Sequence, residues 1–280
     1  MPYVERANEP TLYYELDDYT DPWKKAPILL LQHGFARSSR FWFSWVPYLS
    51  RFYRVVRPDL RGLGNSSAQF DFDTELNLNA YLKDINAVID HVGVDSVHYC
   101  GESLGGILGM AFAAEFPRRA RTLSLVSAPV YISESANKNA TYGYSSRFEA
   151  LEKMGSRGWA KASNMGRRFP PDGDPGMANW AEEEMGKADV GLLIAGQRFI
   201  LEFTAAPYLP RIAAPVLGIY PSSGPIAGNE QIELMKSSVP DIRIVHVPSR
   251  YHMIQMLEPA ACAREVLHFA ARYDGTACHE

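Results

Sequence analysis

The sequence is poor in cysteine and has none of the long apolar runs that membrane-spanning chains need. Its three cysteines, Cys100, Cys262 and Cys278, are an odd number without the spacing of a metal site or a redox motif. The first residues lack a basic start followed by an apolar run, and no stretch approaches membrane-spanning length. We therefore expect a cytoplasmic protein with reduced thiols.

An excess of charge of one sign is also missing. The 28 basic and 32 acidic side chains are mixed along the chain and give a net charge of -4. Because nucleic acids and anionic membranes attract strongly basic surfaces, neither is an expected partner. With 46% hydrophobic residues among 280, the chain can form a substantial core. These properties predict a globular protein with a folded core, and they leave open whether it forms a homo-oligomer.

What the sequence does contain is a Gly-x-Ser-x-Gly turn between a predicted strand and a predicted helix. The segment 97–100 is typical of a buried strand, and the segment from Leu104 to Phe116 is typical of a helix that ends before Pro117. The glycines two residues on either side of Ser103 allow a sharp bend without a Cβ clash. The pattern predicts a strained serine with an exposed hydroxyl, which is a candidate nucleophile.

Strands and helices alternate on both sides of this turn. This order predicts an α/β fold with a mostly parallel sheet and right-handed crossovers. Residues 133–209 differ, since they contain helical segments broken by prolines and glycines and no strand pattern. We interpret this region as a helical insertion that covers the sheet. The predicted strands are 11–16 with 3–4 as an edge hairpin, 27–32, 53–57, 97–100, 121–127, 215–220 and 243–247. An aromatic-rich helix is predicted over 41–49, and the helical pieces of the insertion are predicted around 145–154, 159–165, 178–184 and 190–203.

Four motifs together resemble the α/β-hydrolase superfamily, in particular serine hydrolases with a helical cap such as esterases, enol-lactonases and C–C hydrolases. They are the turn at Ser103, the His33-Gly34 loop, the Asp59-x-Arg61-Gly62-x-Gly64-x-Ser66 loop and a late Arg250-Tyr251-His252. The resemblance implies a hydrolase core formed by residues 1–132 and 210–280, with 133–209 as the cap. It implies no metal and no organic cofactor.

Carried over by position, the resemblance makes Ser103 the nucleophile and His252 the general base. It also assigns the backbone N–H groups of Phe35 and Leu104 to an oxyanion hole. The chemistry needs all of these groups, because a serine hydroxyl is a poor nucleophile until a base takes its proton, and the developing oxyanion needs donors already in place.

The third member of the expected triad is not found where the resemblance predicts it. Family members usually carry an aspartate after the strand that corresponds to 215–220, but here Pro221-Ser222-Ser223-Gly224 follows. The alternative position, at 127–131, is neutral as well. Such an acid normally orients the imidazole and stabilises the imidazolium.

Three explanations stay open at this point. Ser222 or Ser223 could accept the imidazole N–H as a neutral group, or a carboxylate could come from Glu230 or Glu134. The third is chemistry that needs little imidazolium stabilisation, or a protein that only binds its ligand. Glu102 is set aside, because a side chain next to the nucleophile usually points away from it.

Substrate choice in capped members of the superfamily depends on the cap and the oxyanion loop. The residues expected to line an apolar, aromatic-sized pocket are Arg37, Trp42, Tyr131, Trp159 and Trp180, although each aromatic residue alone is more typical of a core. A guanidinium group in this region could instead bind a substrate carboxylate.

The expected function is hydrolysis of a small ester, a lactone or a C–C bond adjacent to a carbonyl. A Ser-His dyad without a carboxylate would favour reactive acyl groups over amides. The alternatives are a ligand receptor on the same scaffold, suggested by the missing acid, and an acyltransferase or lyase that uses the same serine.

Overall fold

The computed structural model describes residues 2–224, 226–275 and 278. The strands are β1 (Tyr3–Val4), β2 (Leu12–Asp17), β3 (Ile28–Gln32), β4 (Arg54–Pro58), β5 (Val97–Glu102), β6 (Ala120–Val126), β7 (Val216–Pro221) and β8 (Ile242–Val247). The α-helices are α1 (Val46–Leu49), α2 (Phe72–Glu75), α3 (Leu78–His91), α4 (Leu104–Glu115), α5 (Glu134–Lys138), α6 (Arg147–Asn164), α7 (Pro175–Met185), α8 (Val190–Glu202), α9 (Asn229–Ser238), α10 (Ile254–Leu257) and α11 (Pro259–Asp274). None of these helices is both long and apolar enough to cross a membrane.

The strands form a single eight-stranded sheet in the order β1-β2-β4-β3-β5-β6-β7-β8. In this order, the neighbouring pairs from β4–β3 to β7–β8 are parallel. Strand β2 pairs antiparallel with β4, and β1 and β2 form the expected antiparallel hairpin at one edge. Every residue of β3 and β5 is buried, as uninterrupted apolar strands covered on both faces require. Because the strand order reverses between β3 and β5, the loops at their carboxyl ends leave a crevice, which is where open α/β sheets bind ligands.

Helix α4 approaches the sheet closely because it contains glycines on its inner face. A Cβ at Gly105 would lie 2.3 Å from the carbonyl oxygen of Gln32, and one at Gly106 would lie 2.3 Å from the Cβ of Ala128. These contacts confirm that close packing, at the expense of helix propensity, explains the glycines of this helix. The first turn of α4 therefore lies directly beside the end of β3.

Helices α5 to α8 lie between β6 and β7 in the chain, and in the described residues this segment contains one isolated β-bridge, from Met165 to Phe169, but no strand. The two predicted helical pieces at 145–154 and 159–165 join into α6, with a kink at Gly155, whose φ is 65°. The ring of Trp159 packs edge-to-face on Phe35, 5.7 Å between centroids, so α6 contacts the loop that follows β3.

The predicted helix over 41–49 is divided. A 3₁₀ helix spans Ser39–Trp42, and α1 starts only at Val46. Pro47 explains the restart, because proline lacks an N–H and is tolerated in the first turn of a helix. The sequence pattern predicted one helix because all its aromatic residues are compatible with helical spacing.

Candidate active site

Ser103 occupies the bend between β5 and α4. Its φ of 53° and ψ of -115° are strained for a residue with a side chain, and its carbonyl accepts the N–H groups of Gly106 and Ile107, both at 3.0 Å. Glu102 before it and Leu104 after it are buried, whereas Ser103 is partly exposed. The backbone therefore presents the hydroxyl-bearing residue at the crevice, as the turn motif predicts.

His252 lies in the loop after β8 and is buried. Its Nε2 atom is 3.3 Å from Oε1 of Glu102, an ion-pair distance without the alignment of a hydrogen bond. This contact corrects the expectation that Glu102 points away from the site. Ser103 leaves the strand geometry through its positive φ, so the alternation of side chains along β5 does not apply across the turn.

Arg37 lies on the other side of the same carboxylate. Its Nη1 donates to Oε2 of Glu102 at 2.9 Å, and both side chains are 1% exposed. Gly34 makes room for this arrangement, because a Cβ there would lie 2.4 Å from Oε2 of Glu102 and 2.9 Å from the Cβ of Ser103. The serine, the carboxylate and the guanidinium therefore surround a glycine of the loop after β3.

The pKa values reflect burial and these charges. Burial alone would raise the pKa of Glu102, but Arg37, followed by His252, outweighs it and the pKa is lowered. Burial lowers the pKa of His252 to about 4, although Glu102 raises it in part. At neutral pH the site therefore holds a carboxylate and a neutral imidazole, which can accept a proton.

Two backbone hydrogen bonds fix the histidine loop to the segment that follows α6. The N–H of His252 donates to the carbonyl of Arg167 at 2.9 Å, and the N–H of Met253 donates to that of Arg168 at 3.3 Å. Because these bonds use main-chain atoms, they do not depend on the protonation state of the imidazole.

The backbone N–H groups of Phe35 and Leu104 have no acceptor among the described residues. For Leu104 the reason is its place in the first turn of α4, where N–H groups have no partner within the helix. Donors without partners next to a candidate nucleophile suit a developing oxyanion. The loop that carries Phe35 is braced by His33, which donates from Nδ1 to the Gly34 carbonyl at 2.8 Å and accepts the Leu60 N–H at 3.0 Å.

Three of the four side chains considered as partners of the histidine have other contacts, and the fourth, Ser223, bonds through its backbone. The hydroxyl of Ser222 donates to the carbonyl of Val247 at 3.0 Å, and the N–H of Ser223 to that of Ser249 at 3.3 Å. Glu230 accepts the hydroxyl of Tyr131 at 3.1 Å. Glu134 forms an exposed ion pair with Lys138 at 2.5 Å. Among the carboxylates of the described residues, only that of Glu102 lies within 4 Å of the imidazole nitrogens.

The expected pocket residues separate into different parts of the structure. Trp159 lines a small cavity beside His252, with ≈ 40 Å³ open to the centres of water molecules. Trp42 packs on Trp45 in the core on the other face of the sheet. Trp180 contacts Phe41 and lines a separate surface groove. The cavity lining also includes Arg147, Arg167 and Arg168, so it is far more basic than the expected aromatic pocket.

A signal for Glu102 was present in the sequence. A glutamate at the end of an otherwise apolar strand that is buried on both faces needs a charged or hydrogen-bonding partner, because an unpaired buried charge is costly. Arg37, in the loop after the neighbouring strand, meets that need. The need of a buried carboxylate for a partner therefore predicts the pairing of Glu102 with Arg37, although not the proximity of this pair to His252.

Comparisons with known proteins agree with the fold described above. A model of the family described as alpha/beta hydrolase fold matches residues 27–259. A protein named "Putative carbamate hydrolase RutD" from Agrobacterium fabrum is 25% identical over 276 residues, which cover 95% of this chain and 100% of that protein. A 2-hydroxy-6-oxo-2,4-heptadienoate hydrolase from Pseudomonas putida is 30% identical over 132 residues, 46% of this chain and 47% of that protein.

Among solved structures, the enol-lactonase from Burkholderia xenovorans LB400 superposes with a TM-score of 0.82 at 21% sequence identity, covering 96% of this chain and 100% of that chain. At this identity the likeness concerns the fold. The matched residues of the family extend from the end of the loop before β3 to the start of α11, and so include the turn at Ser103 and the loop of His252.

Proposed function

Because the chain belongs to the α/β-hydrolase fold family and is a hydrolase, we propose that it cleaves a small ester, a lactone or a C–C bond adjacent to a carbonyl through a covalent intermediate on Ser103. The observation that carries the proposal is the carboxylate of Glu102, 3.3 Å from Nε2 of the buried His252 and adjacent in sequence to the serine. Nucleophile, base and orienting acid are thereby supplied by β5, its turn and the loop after β8.

The reaction has two halves. In the first, Ser103 Oγ attacks the carbonyl carbon while His252 takes the hydroxyl proton, and the backbone N–H groups of Phe35 and Leu104 stabilise the oxyanion. When this intermediate collapses, His252 returns the proton to the leaving alcohol, or to the leaving carbon of a C–C substrate. In the second half, a water molecule deprotonated by His252 attacks the acyl group and releases the acid, which restores the serine.

In this mechanism Glu102 is a positioning residue. It orients the imidazole and stabilises the imidazolium that forms when the serine proton is transferred. Because a carboxylate occupies this position, a preference for reactive acyl groups over amides is no longer expected. The same carboxylate removes the main reason for the receptor alternative, which rested on an incomplete triad.

Two observations favour small substrates. The cavity beside His252 has ≈ 40 Å³ open to the centres of water molecules, whereas sites for drug-sized ligands measure about 300–1,000 Å³. The names of similar proteins refer to a carbamate, an enol-lactone and a hydroxy-oxo-heptadienoate, which all present a carbonyl to the nucleophile. Only a substrate group of a few atoms fits this space.

A fluorophosphonate probe tests the proposal, because it labels only an activated serine. We expect labelling of the native protein and none of Ser103→Ala, with hydrolysis of p-nitrophenyl acetate lost in the same variant. Ser223→Ala is the matched control, since its side chain is not part of the proposed machinery, and it should label normally. An inert native protein, or labelling that persists in Ser103→Ala, would contradict the proposal.

A further inference from the structure

Three arginines meet at the cavity beside His252. Arg147 begins α6, and Arg167 and Arg168 follow its end, so the kinked helix brings both of its termini to one place. Trp159 of the same helix carries the guanidinium of Arg168 over its ring, 5.1 Å from the centroid. We name Arg147, Arg167 and Arg168 the arginine cluster.

None of these arginines lies within 4.0 Å of a carboxylate oxygen in the part of the chain that the structure describes. Arg147 Nη1 donates to the side-chain oxygen of Gln197 at 3.1 Å, and Arg168 Nη1 donates to the hydroxyl of Ser163. Arg168 Nε is sealed from solvent and has no hydrogen-bond partner. The cluster therefore contacts only neutral groups of the protein.

The fully buried arginines elsewhere in the chain differ in this respect, whereas the arginines of the cluster are only partly buried. Arg61 binds both oxygens of Asp84 at 2.7 Å, and Arg37 binds Glu102 at 2.9 Å. Buried charges normally have such partners, because desolvation without one is costly. The cluster thus has a deficit of negative charge that is not a general feature of this protein.

The pKa values express the same deficit. Burial, followed by the positive charge of Arg37, lowers the pKa of Arg168 to about 9. Burial, followed by Arg167, lowers the pKa of Arg147 to about 10. Both guanidinium groups remain charged at neutral pH, so an anion entering the cavity would meet uncompensated positive charge in a place of low dielectric.

We propose that the arginine cluster binds a carboxylate of the substrate, so that the enzyme acts on an ester or lactone that carries a free carboxylate at its far end. The guanidinium fork matches a carboxylate in geometry, and the small cavity suits a group of that size. The proposal rests on the proposed function of Ser103 and His252. The main-chain bonds from His252 and Met253 to Arg167 and Arg168 place the anion subsite on the segment that also holds the base.

The test compares monomethyl esters of succinate, glutarate and adipate with the corresponding methyl ketones, in which a methyl group replaces the charged oxygen. We expect the native enzyme to favour at least one anionic ester by about 10- to 100-fold in kcat/KM, as charge-assisted hydrogen bonds would give. The preference should arise mainly in KM. Arg168→Gln should remove the preference for the anionic ester. Arg168→Lys keeps the positive charge but loses the two-pronged guanidinium geometry, so it should retain part of the preference. This second variant replaces the first if Arg168→Gln does not fold.

Arg198→Gln is the matched control, because Arg198 is an exposed arginine of the same region that pairs with Asp73 at 2.7 Å. It should keep the full preference. A native enzyme that does not distinguish the two ester series, or a preference that survives in both Arg168→Gln and Arg147→Gln, would overturn the proposal.

Binding measured without turnover separates this proposal from the proposed function. Glutarate titrated into Ser103→Ala in a calorimeter should bind, and the signal should disappear in Ser103→Ala/Arg168→Gln. If the serine is not the nucleophile, the native protein will not hydrolyse the esters but glutarate will still bind. Absence of binding by glutarate, succinate and adipate to Ser103→Ala, or equal binding of inorganic phosphate and chloride, would refute the subsite itself.

Discussion

Replacing Glu102 by glutamine removes one negative charge from the site and keeps its shape. The carboxylate lies 3.3 Å from the imidazole nitrogen, and at an effective dielectric constant of about 20 the attraction to an imidazolium is about 5 kcal/mol. Because the imidazolium forms only during proton transfer, this energy acts on the barrier. Glu102→Gln should therefore lower kcat about 10³- to 10⁴-fold.

The same substitution also leaves Arg37 buried without its partner, which costs about 3–5 kcal/mol of folding free energy. Stability and rate can be separated with Arg37→Gln/Glu102→Gln, in which two neutral amides replace the ion pair. We expect the double variant to regain most of the thermal stability lost by Glu102→Gln but none of the lost rate. Initial rates with p-nitrophenyl acetate and thermal unfolding followed by circular dichroism measure the two quantities.

The role of Glu102 is refuted if a folded Glu102→Gln keeps kcat within about tenfold of the native value while Ser103→Ala is inactive. It is also refuted if the double variant recovers the rate, since the loss would then come from the unpaired Arg37 and not from the missing carboxylate.

Three further outcomes follow from the geometry and the charges. In a plot of kcat/KM against pH, the fall on the acid side should have its midpoint near pH 4, because the pKa of His252 is lowered to about 4 in the folded enzyme. A midpoint near pH 6.5 in initial-rate measurements would show that the imidazole is not desolvated. Between pH 6.5 and 4 the unfolded chain takes up a proton at His252 that the folded chain does not, so the free energy of unfolding should fall by about 3 kcal/mol as the pH drops through that window. Urea unfolding of native protein and His252→Gln should show a smaller pH dependence in the variant, and identical slopes would contradict the assignment. Gly106→Ala places a methyl group 2.3 Å from the Cβ of Ala128 and should lower the free energy of unfolding by about 1–3 kcal/mol. In the control Gly228→Ala the added methyl group has nothing within 4 Å, so the melting temperature should change little. Equal effects of the two substitutions would argue against close packing of α4.

The anion subsite that we propose would give the site its polarity. With Arg37 neutralised by Glu102, the arginine cluster is the positive charge left in the cavity, on the side of His252 that faces α6. A substrate bound through its carboxylate would be oriented before the serine attacks, and such positioning contributes to the rate as well as to affinity.

The sequence by itself determined the parallel α/β sheet, the hairpin at its edge and the turn that carries Ser103. These features depend on local causes, namely apolar runs, glycines at fixed offsets from a serine and prolines that end helices, which act over a few residues wherever the chain lies. The same local rules also gave the wrong expectation for Glu102, because the alternation of side chains along a strand does not extend across a residue with positive φ.

Only the tertiary structure decided which carboxylate lies beside His252 and which arginines, among the described residues, have no carboxylate partner. Glu102, Arg37 and His252 come together from the ends of strands that are far apart in the chain, and no periodicity relates their positions. The kink at Gly155 likewise returns Arg147 to the neighbourhood of Arg168. Charge pairing in a protein interior depends on packing between distant segments. That is why the folded chain brings Glu102 and the arginine cluster close to His252, while the sequence leaves open which acid and which arginines lie there.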